Sequence, residues 1–142
     1  MVLKYLLVFI VFSAMGLGLE VIFTATFSKN KDRVHMLGFS SLYYVPLYGI
    51  ALPIFIALAY PFIRTIPWYM RGLIYLPFIH IGEYCGMLLL RKINGASPSE
   101  GRYQGKRWSI HNLTRIDFVP VFYAMGIFFE FLLRILLDEK LF

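Results

Sequence analysis

Four apolar runs, at about residues 5–27, 39–60, 71–90 and 118–137, dictate the solvent in which this chain folds. Each approaches the ~20 residues that an α-helix needs to cross a ~30 Å hydrocarbon core. Hydrophobic residues make up 59% of the 142 and charged residues 15%, against roughly 45–50% and 25% in soluble domains. A water-soluble globule of this length has no interior large enough for that much apolar surface. The runs are continuous rather than alternating, unlike barrel strands. Only helices satisfy their own backbone hydrogen bonds in lipid without closing a barrel. The expected fold is all-α, an integral membrane four-helix bundle forming a single transmembrane domain over 1–142. Lys4 ahead of the first run mimics a secretory leader, but that run holds about 23 residues, beyond the 7–15 of a leader's apolar region. It is read as a span.

Three carboxylates, Glu20, Glu83 and Glu130, lie inside these runs. A charge at the bilayer centre costs about 2.5–3.5 kcal/mol on the most lenient scale, so such groups turn inward, pair, or face a wet cavity. Glu20 shares a helical face with Gly16 and Thr24. Glu83 shares one with His80 and Met87, beside a Gly82-x-x-x-Gly86 spacing that permits close helix contact. The functional reading is an acid site built from Glu20 and Glu83, with His80, Tyr48 and Thr24 as further ligand or ion-pathway candidates. The alternative is structural glue, with the same carboxylates bonded to tyrosine, His80 or backbone. Glu130 has Arg134 four residues on, which reads as a local salt bridge. Arg115 and Asp117 stand at the entry to the fourth run and join Glu130 and Arg134 as a secondary polar cluster.

The 14 Lys and Arg against eight Asp and Glu give a net charge of +6. The basic residues gather between apolar runs, which is how membrane orientation is encoded, so nucleic acid is not an expected partner. Lys29, Lys31, Arg33, Arg91, Lys92, Arg102, Lys106, Arg107 and Arg115 fall on one side. Lys4, Arg64, Arg71, Arg134 and Lys140 fall on the other. The excess places both termini outside and the long 91–117 connection in the cytoplasm, of a bacterial inner membrane or a eukaryotic cellular membrane. Arg102, Lys106 and Arg107, interleaved with Tyr103 and Trp108, fit contact with anionic lipid.

The halves echo one another, suggesting repeats over 1–60 and 71–142. Tyr44-Val45-Pro46-Leu47-Tyr48 recurs as Phe118-Val119-Pro120-Val121-Phe122, and Gly18-Leu19-Glu20 as Ile81-Gly82-Glu83. Two helices per half give repeats of the same orientation, related by an axis along the membrane normal. Glu20 and Glu83 are then expected at equal depth, facing each other. Pro46 and Pro53 are expected to bend the second helix.

Other chemistry is thinly represented. Cys85 is the lone cysteine, and no Cys-x-x-Cys or His-Glu-x-x-His spacing occurs. His35 and His111 lie near connections, so no metal is expected. No phosphate loop or serine nucleophile elbow is present, and no cofactor is expected. Asn112-Leu113-Thr114 matches a glycosylation acceptor but lies close to the fourth run.

Gly18-Leu19-Glu20-Val21-Ile22-Phe23-Thr24-Ala25, Ser40-Ser41-Leu42, Pro46-Leu47-Tyr48-Gly49, Arg71-Gly72-Leu73-Ile74-Tyr75, Glu83-Tyr84, and Arg115-Ile116-Asp117-Phe118 with Pro120 carry a family likeness. Together they resemble the transmembrane protein 229 family, whose bacterial relatives are grouped as putative ABC-transporter type IV (CmpB-like) membrane proteins. The resemblance implies a small multi-helix membrane protein. Since the chain has no nucleotide-binding elements, ATP hydrolysis would need another chain. Three function classes follow. The leading one is binding or transport of a proton, cation or small cationic solute. The others are a non-catalytic subunit or assembly factor of a larger membrane complex, and a lipid-directed enzyme using Glu20, His80 and Glu83. Membrane lipids and a second copy of the chain are the expected partners.

Overall fold

In a computed structural model, residues 2–27 and 36–137 are described. The first basic connection, with Lys29, Lys31, Arg33 and His35, lies outside the described residues, as does Lys140. The chain runs α1 (Val2–Phe27), α2 (Tyr44–Ile63), α3 (Trp68–Asn94), short α4 (Glu100–Tyr103), strands β1 (Ser109–Ile110) and β2 (Thr114–Arg115), a 3₁₀ turn (Ile116–Phe118), and α5 (Val119–Leu137). Four helical stretches are long and apolar enough to cross a membrane: α1, α2, α3 and Ile116–Leu137. The all-α expectation holds. Contacts divide the chain into two units, Met1–Pro53 and Ile54–Phe142, with the boundary inside α2.

In the first unit α1 buries the stripe Val8, Phe12, Ser13, Gly16 and Thr24. The second span starts at Tyr44, not at residue 39. Thr24 explains the difference. Its hydroxyl donates to Phe39 O and accepts from Phe39 N–H, each at 2.8 Å, which holds Phe39 in an extended segment against α1. That segment passes so close that a Cβ on Gly38 would stand 2.0 Å from Val21 O. Between Pro46 and Pro53 the helix widens into a π turn over Leu47–Ala51, and Leu52 N–H bonds Leu47 O. Pro53 has no N–H to give to the carbonyl four residues back, and its ring crowds that carbonyl, so a wider turn relieves both. The π turn presents Tyr48 and Gly49 to α1. A Cβ on Gly16 would lie 2.2 Å from the Tyr48 ring, and one on Gly49 would meet Ser13 Oγ and Phe9. Small residues let the backbones approach where lipid offers no hydrophobic drive for helix pairing.

In the second unit α3 and α5 pack along a glycine seam. A Cβ on Gly72 would meet Tyr123 at 2.6 Å, and one on Gly126 would meet Tyr75 at 2.8 Å. The seam is therefore not at Gly82, where an added Cβ meets nothing within 4 Å. On these two helices Tyr75, Met87, Phe129 and Leu133 are fully buried. α3 runs three residues earlier and four later than the sequence suggests, ending at left-handed Gly95. Arg91 and Lys92 in its last turn suit the carbonyl end of the helix dipole.

The long connection is built rather than loose. Ser109 pairs with Arg115 and Ile110 with Thr114, joined by a turn with His111 and Asn112 at positive φ. Arg91 ion-pairs with Glu100 and donates to His111 O at 2.6 Å. Ser99 Oγ donates to Asn112 O at 3.0 Å. Leu113, fully buried, anchors the hairpin.

Candidate functional site

His80 and Glu83 sit one turn apart on α3, so they share a face. Glu83 is 9% exposed. Both of its oxygens accept hydroxyl protons from the connection that follows α3: Tyr103 Oη donates to Oε1 at 2.9 Å, and Thr114 Oγ1 donates to Oε2. His80 Nδ1 lies 3.3 Å from the same Thr114 oxygen. A hydroxyl has one proton. Thr114 gives its proton to Glu83, so the Thr114 oxygen accepts from His80 Nδ1–H. This inferred tautomer leaves Nε2 as a bare lone pair. That atom is buried and has no hydrogen-bond partner among the described residues. The imidazole packs edge-on against Phe122, centroids 4.6 Å apart. The result is a linear chain, His80–Thr114–Glu83–Tyr103, reaching from the spans into the connection.

A second buried cluster joins α3 to α5. Arg71 Nε donates to Glu130 Oε2 at 2.9 Å, and Nη2 approaches Oε1 at 2.7 Å. Tyr75 Oη donates to Oε2 at 2.8 Å. Arg71 and Glu130 are 7% and 5% exposed. Arg71 Nη1 also donates to Ile66 O (2.9 Å) and Arg64 O (3.4 Å), fastening the α2–α3 connection. Glu130 is thus paired with Arg71, 59 residues away, rather than with Arg134 as the local spacing suggested. Arg134 stands over the Tyr60 ring at 5.5 Å.

The expected secondary cluster separates into two. Arg115 chelates Asp117 ahead of α5, with Nε to Oδ1 at 3.0 Å, and stacks over Phe118 at 4.3 Å. Glu130 is 13 residues further along, roughly 20 Å at 1.5 Å per residue. Of the pathway candidates, Glu83 and His80 come together through Thr114. Glu20, Thr24 and Tyr48 belong to the first unit, where Glu20 is half-buried, Thr24 holds Phe39 and Tyr48 packs on Gly16. Of the lipid-contact candidates, Arg107 is exposed and lies 5.5 Å from the Trp108 ring. Half-buried Arg102 lies 6.0 Å from the Tyr103 ring, and Lys106 is half-buried. No group of three or more metal-ligating side chains occurs among the described residues.

Four residues of these clusters, Tyr103, Thr114, Arg71 and Tyr75, stood in the sequence as a neighbour of the lipid-contact residues, part of a glycosylation acceptor, an orientation charge and part of a family motif, not as partners of Glu83 or Glu130. For Arg71 a signal existed: it is a cation within an apolar run, and Glu130 is an anion within another.

Spans, buried ion pair and built connection accompany a family match. The family model described as Putative ABC-transporter type IV (ABC_trans_CmpB) aligns with residues 7–142. The chain belongs to this family. Its four apolar helices and its place in a transporter-related type IV family make it a membrane protein. No curated protein and no solved structure matches the chain.

Proposed function

We propose that this type IV family member is the membrane-spanning, non-ATP-hydrolysing component of a transport assembly, and that Glu83 fastens its connection for docking to a partner chain. One observation carries the reading: both Glu83 oxygens accept from Tyr103 and Thr114, which belong to that connection. A carboxylate occupied in this way is suited to holding a surface in shape. With the positive-inside bias, that surface faces the cytoplasm, where an ATP-hydrolysing subunit would bind. The test is co-purification of the tagged full chain from its native membrane. The expected result is an ATPase polypeptide at fixed stoichiometry, lost in Glu83→Gln. A chain that remains alone and drives solute flux by itself in liposomes would contradict it.

A second reading, passage of a proton or small cation, is favoured by the bare, buried Nε2 of His80 at the end of a hydrogen-bonded chain. A site that accepts a proton at one end and carries a carboxylate further along suits relay chemistry. Glu20 remains a candidate for the same duty in the first span. Loss of liposome proton flux in His80→Phe, with the fold intact, supports this reading; unchanged flux rejects it.

Internal duplication is part of the proposal, and the contact register supports it. Shifting Glu20 onto Glu83 carries Phe9 onto Gly72, and shifting Pro46 onto Pro120 carries Gly49 onto Tyr123. Phe9 packs on Gly49 in one unit, and Gly72 on Tyr123 in the other. The same position pair is filled with bulky and small residues exchanged. Anionic-lipid contact by Arg102, Lys106 and Arg107 and assembly with a second copy complete the reading.

A further inference from the structure

The hairpin in the long connection has two faces, and its register fixes which residues share each. Ser109 pairs with Arg115 and Ile110 with Thr114. Ile116 N–H donates to Trp108 O at 3.0 Å, which sets Trp108 opposite Ile116. Paired residues share a face, as do alternate residues along a strand. Trp108, Ile110, Thr114 and Ile116 therefore stand on one face, and Ser109 and Arg115 on the other. Thr114 gives the first face its direction, because its hydroxyl meets Glu83 and His80 of the α3 span. Trp108, Ile110 and Ile116 turn the same way, yet they are 54%, 39% and 46% exposed. Ile116 is the first residue of the fourth apolar stretch, so Trp108 beside it stands level with the start of a span. Three large apolar side chains gathered in water are unfavourable. At a membrane boundary such side chains are well solvated, and tryptophan is enriched there.

We propose that this face is a membrane anchor. The hairpin lies along the leaflet, with Trp108, Ile110 and Ile116 seated at the headgroup boundary of an anionic bilayer. Charge suits that occupant. The 91–117 segment holds six Lys and Arg against Glu100 and Asp117. The first connection, expected on the same side, adds Lys29, Lys31 and Arg33 against Asp32. Arg107 is exposed, and its guanidinium lies 5.5 Å from the centre of the Trp108 ring. An inserted indole thus carries a cation to the depth of lipid phosphates. The inference deepens the lipid contact read for Lys106 and Arg107, and its preference for anionic lipid rests on that reading. Ser109 and Arg115 face away from the lipid, toward the proposed partner chain.

Trp108 is its own reporter once Trp68 is replaced by Phe. The full chain is placed in nanodiscs with a tryptophan-free scaffold, made of phosphatidylcholine with or without phosphatidylglycerol. Emission is quenched by lipid brominated near the headgroup, by lipid brominated deep in the acyl chain, or by aqueous acrylamide. Shallow bromolipid is expected to quench at least twofold more than deep bromolipid. Acrylamide should quench at least threefold less than it does free tryptophan. The two faces are read by moving the indole in the Trp68→Phe/Trp108→Phe chain. Ile110→Trp should keep the lipid pattern, and Ser109→Trp should be open to acrylamide. Positions 108 and 110 open to acrylamide and untouched by bromolipid would overturn the anchor and make this face a protein-docking surface. Equal lipid quenching at 109 and 110 would also overturn it, since the face would then have no side. A shallow signal that persists without phosphatidylglycerol would support the anchor and count against the anionic-contact reading alone.

Discussion

An amide at position 83 accepts at one atom and donates at the other, so Glu83→Gln sets either Tyr103 or Thr114 against a second donor. Hydrogen bonds to a charged partner contribute about 1.5–3 kcal/mol each. Tyr103→Phe removes one of the two bonds and should lower stability by about that amount, read as a shift in thermal unfolding in detergent. Glu130→Ala is expected to be more damaging. It strands Arg71, which is 7% exposed, and an uncompensated buried charge costs about 3–5 kcal/mol. Arg71→Met in the Glu130→Leu background should recover most of that loss, since apolar replacements of a buried pair are often neutral. The carboxylates themselves were legible in the sequence because a charge within an apolar run stands out. Their partners were not. Tyr103 and Thr114 come from a connection with no periodicity to reveal which side chains turn inward. Arg71 lies three residues into α3 and reads equally well as an orientation charge.

At the level of helices, the glycines sort by what a methyl group would meet. Gly126→Leu drives a side chain into Tyr75, whereas Gly82→Leu enters open space. Overpacking typically costs about 1–3 kcal/mol. Thermal scans should therefore show Gly126→Leu destabilised and Gly82→Leu near wild type. Gly72→Phe should be destabilised as Gly126→Leu is, and Tyr123→Gly on that background should restore part of the loss. The proposed duplication is what this tests, since it makes Phe9 on Gly49 the counterpart of Gly72 on Tyr123 with large and small residues exchanged. Spans were legible to within a few residues because length and hydropathy set them. The start of α2 was not, because apolar Phe39 belongs by composition to the span and by hydrogen bonding to Thr24. Two prolines in one run announced a distortion, though not its form as a wider turn. Close approach, rather than the Gly82 spacing, decides where helices meet, and that depends on the partner's side chains.

For the whole molecule, the charge bias makes a prediction about orientation. The 91–117 segment carries six of the fourteen Lys and Arg. Cysteines introduced at Lys106 and at Thr65, in a Cys85→Ala background, should label from opposite faces, position 106 only in inside-out vesicles. Labelling of both from one side would remove the proposed cytoplasmic surface. The connection's role rests on Glu83 holding it, and hydrogen exchange reads that directly. In the full chain in lipid nanodiscs, Glu83→Gln should strip protection from the amides of residues 99–114 while leaving those of α5 near wild type. Unchanged protection across 99–114 would contradict the latch and return Glu83 to the ion-passage reading.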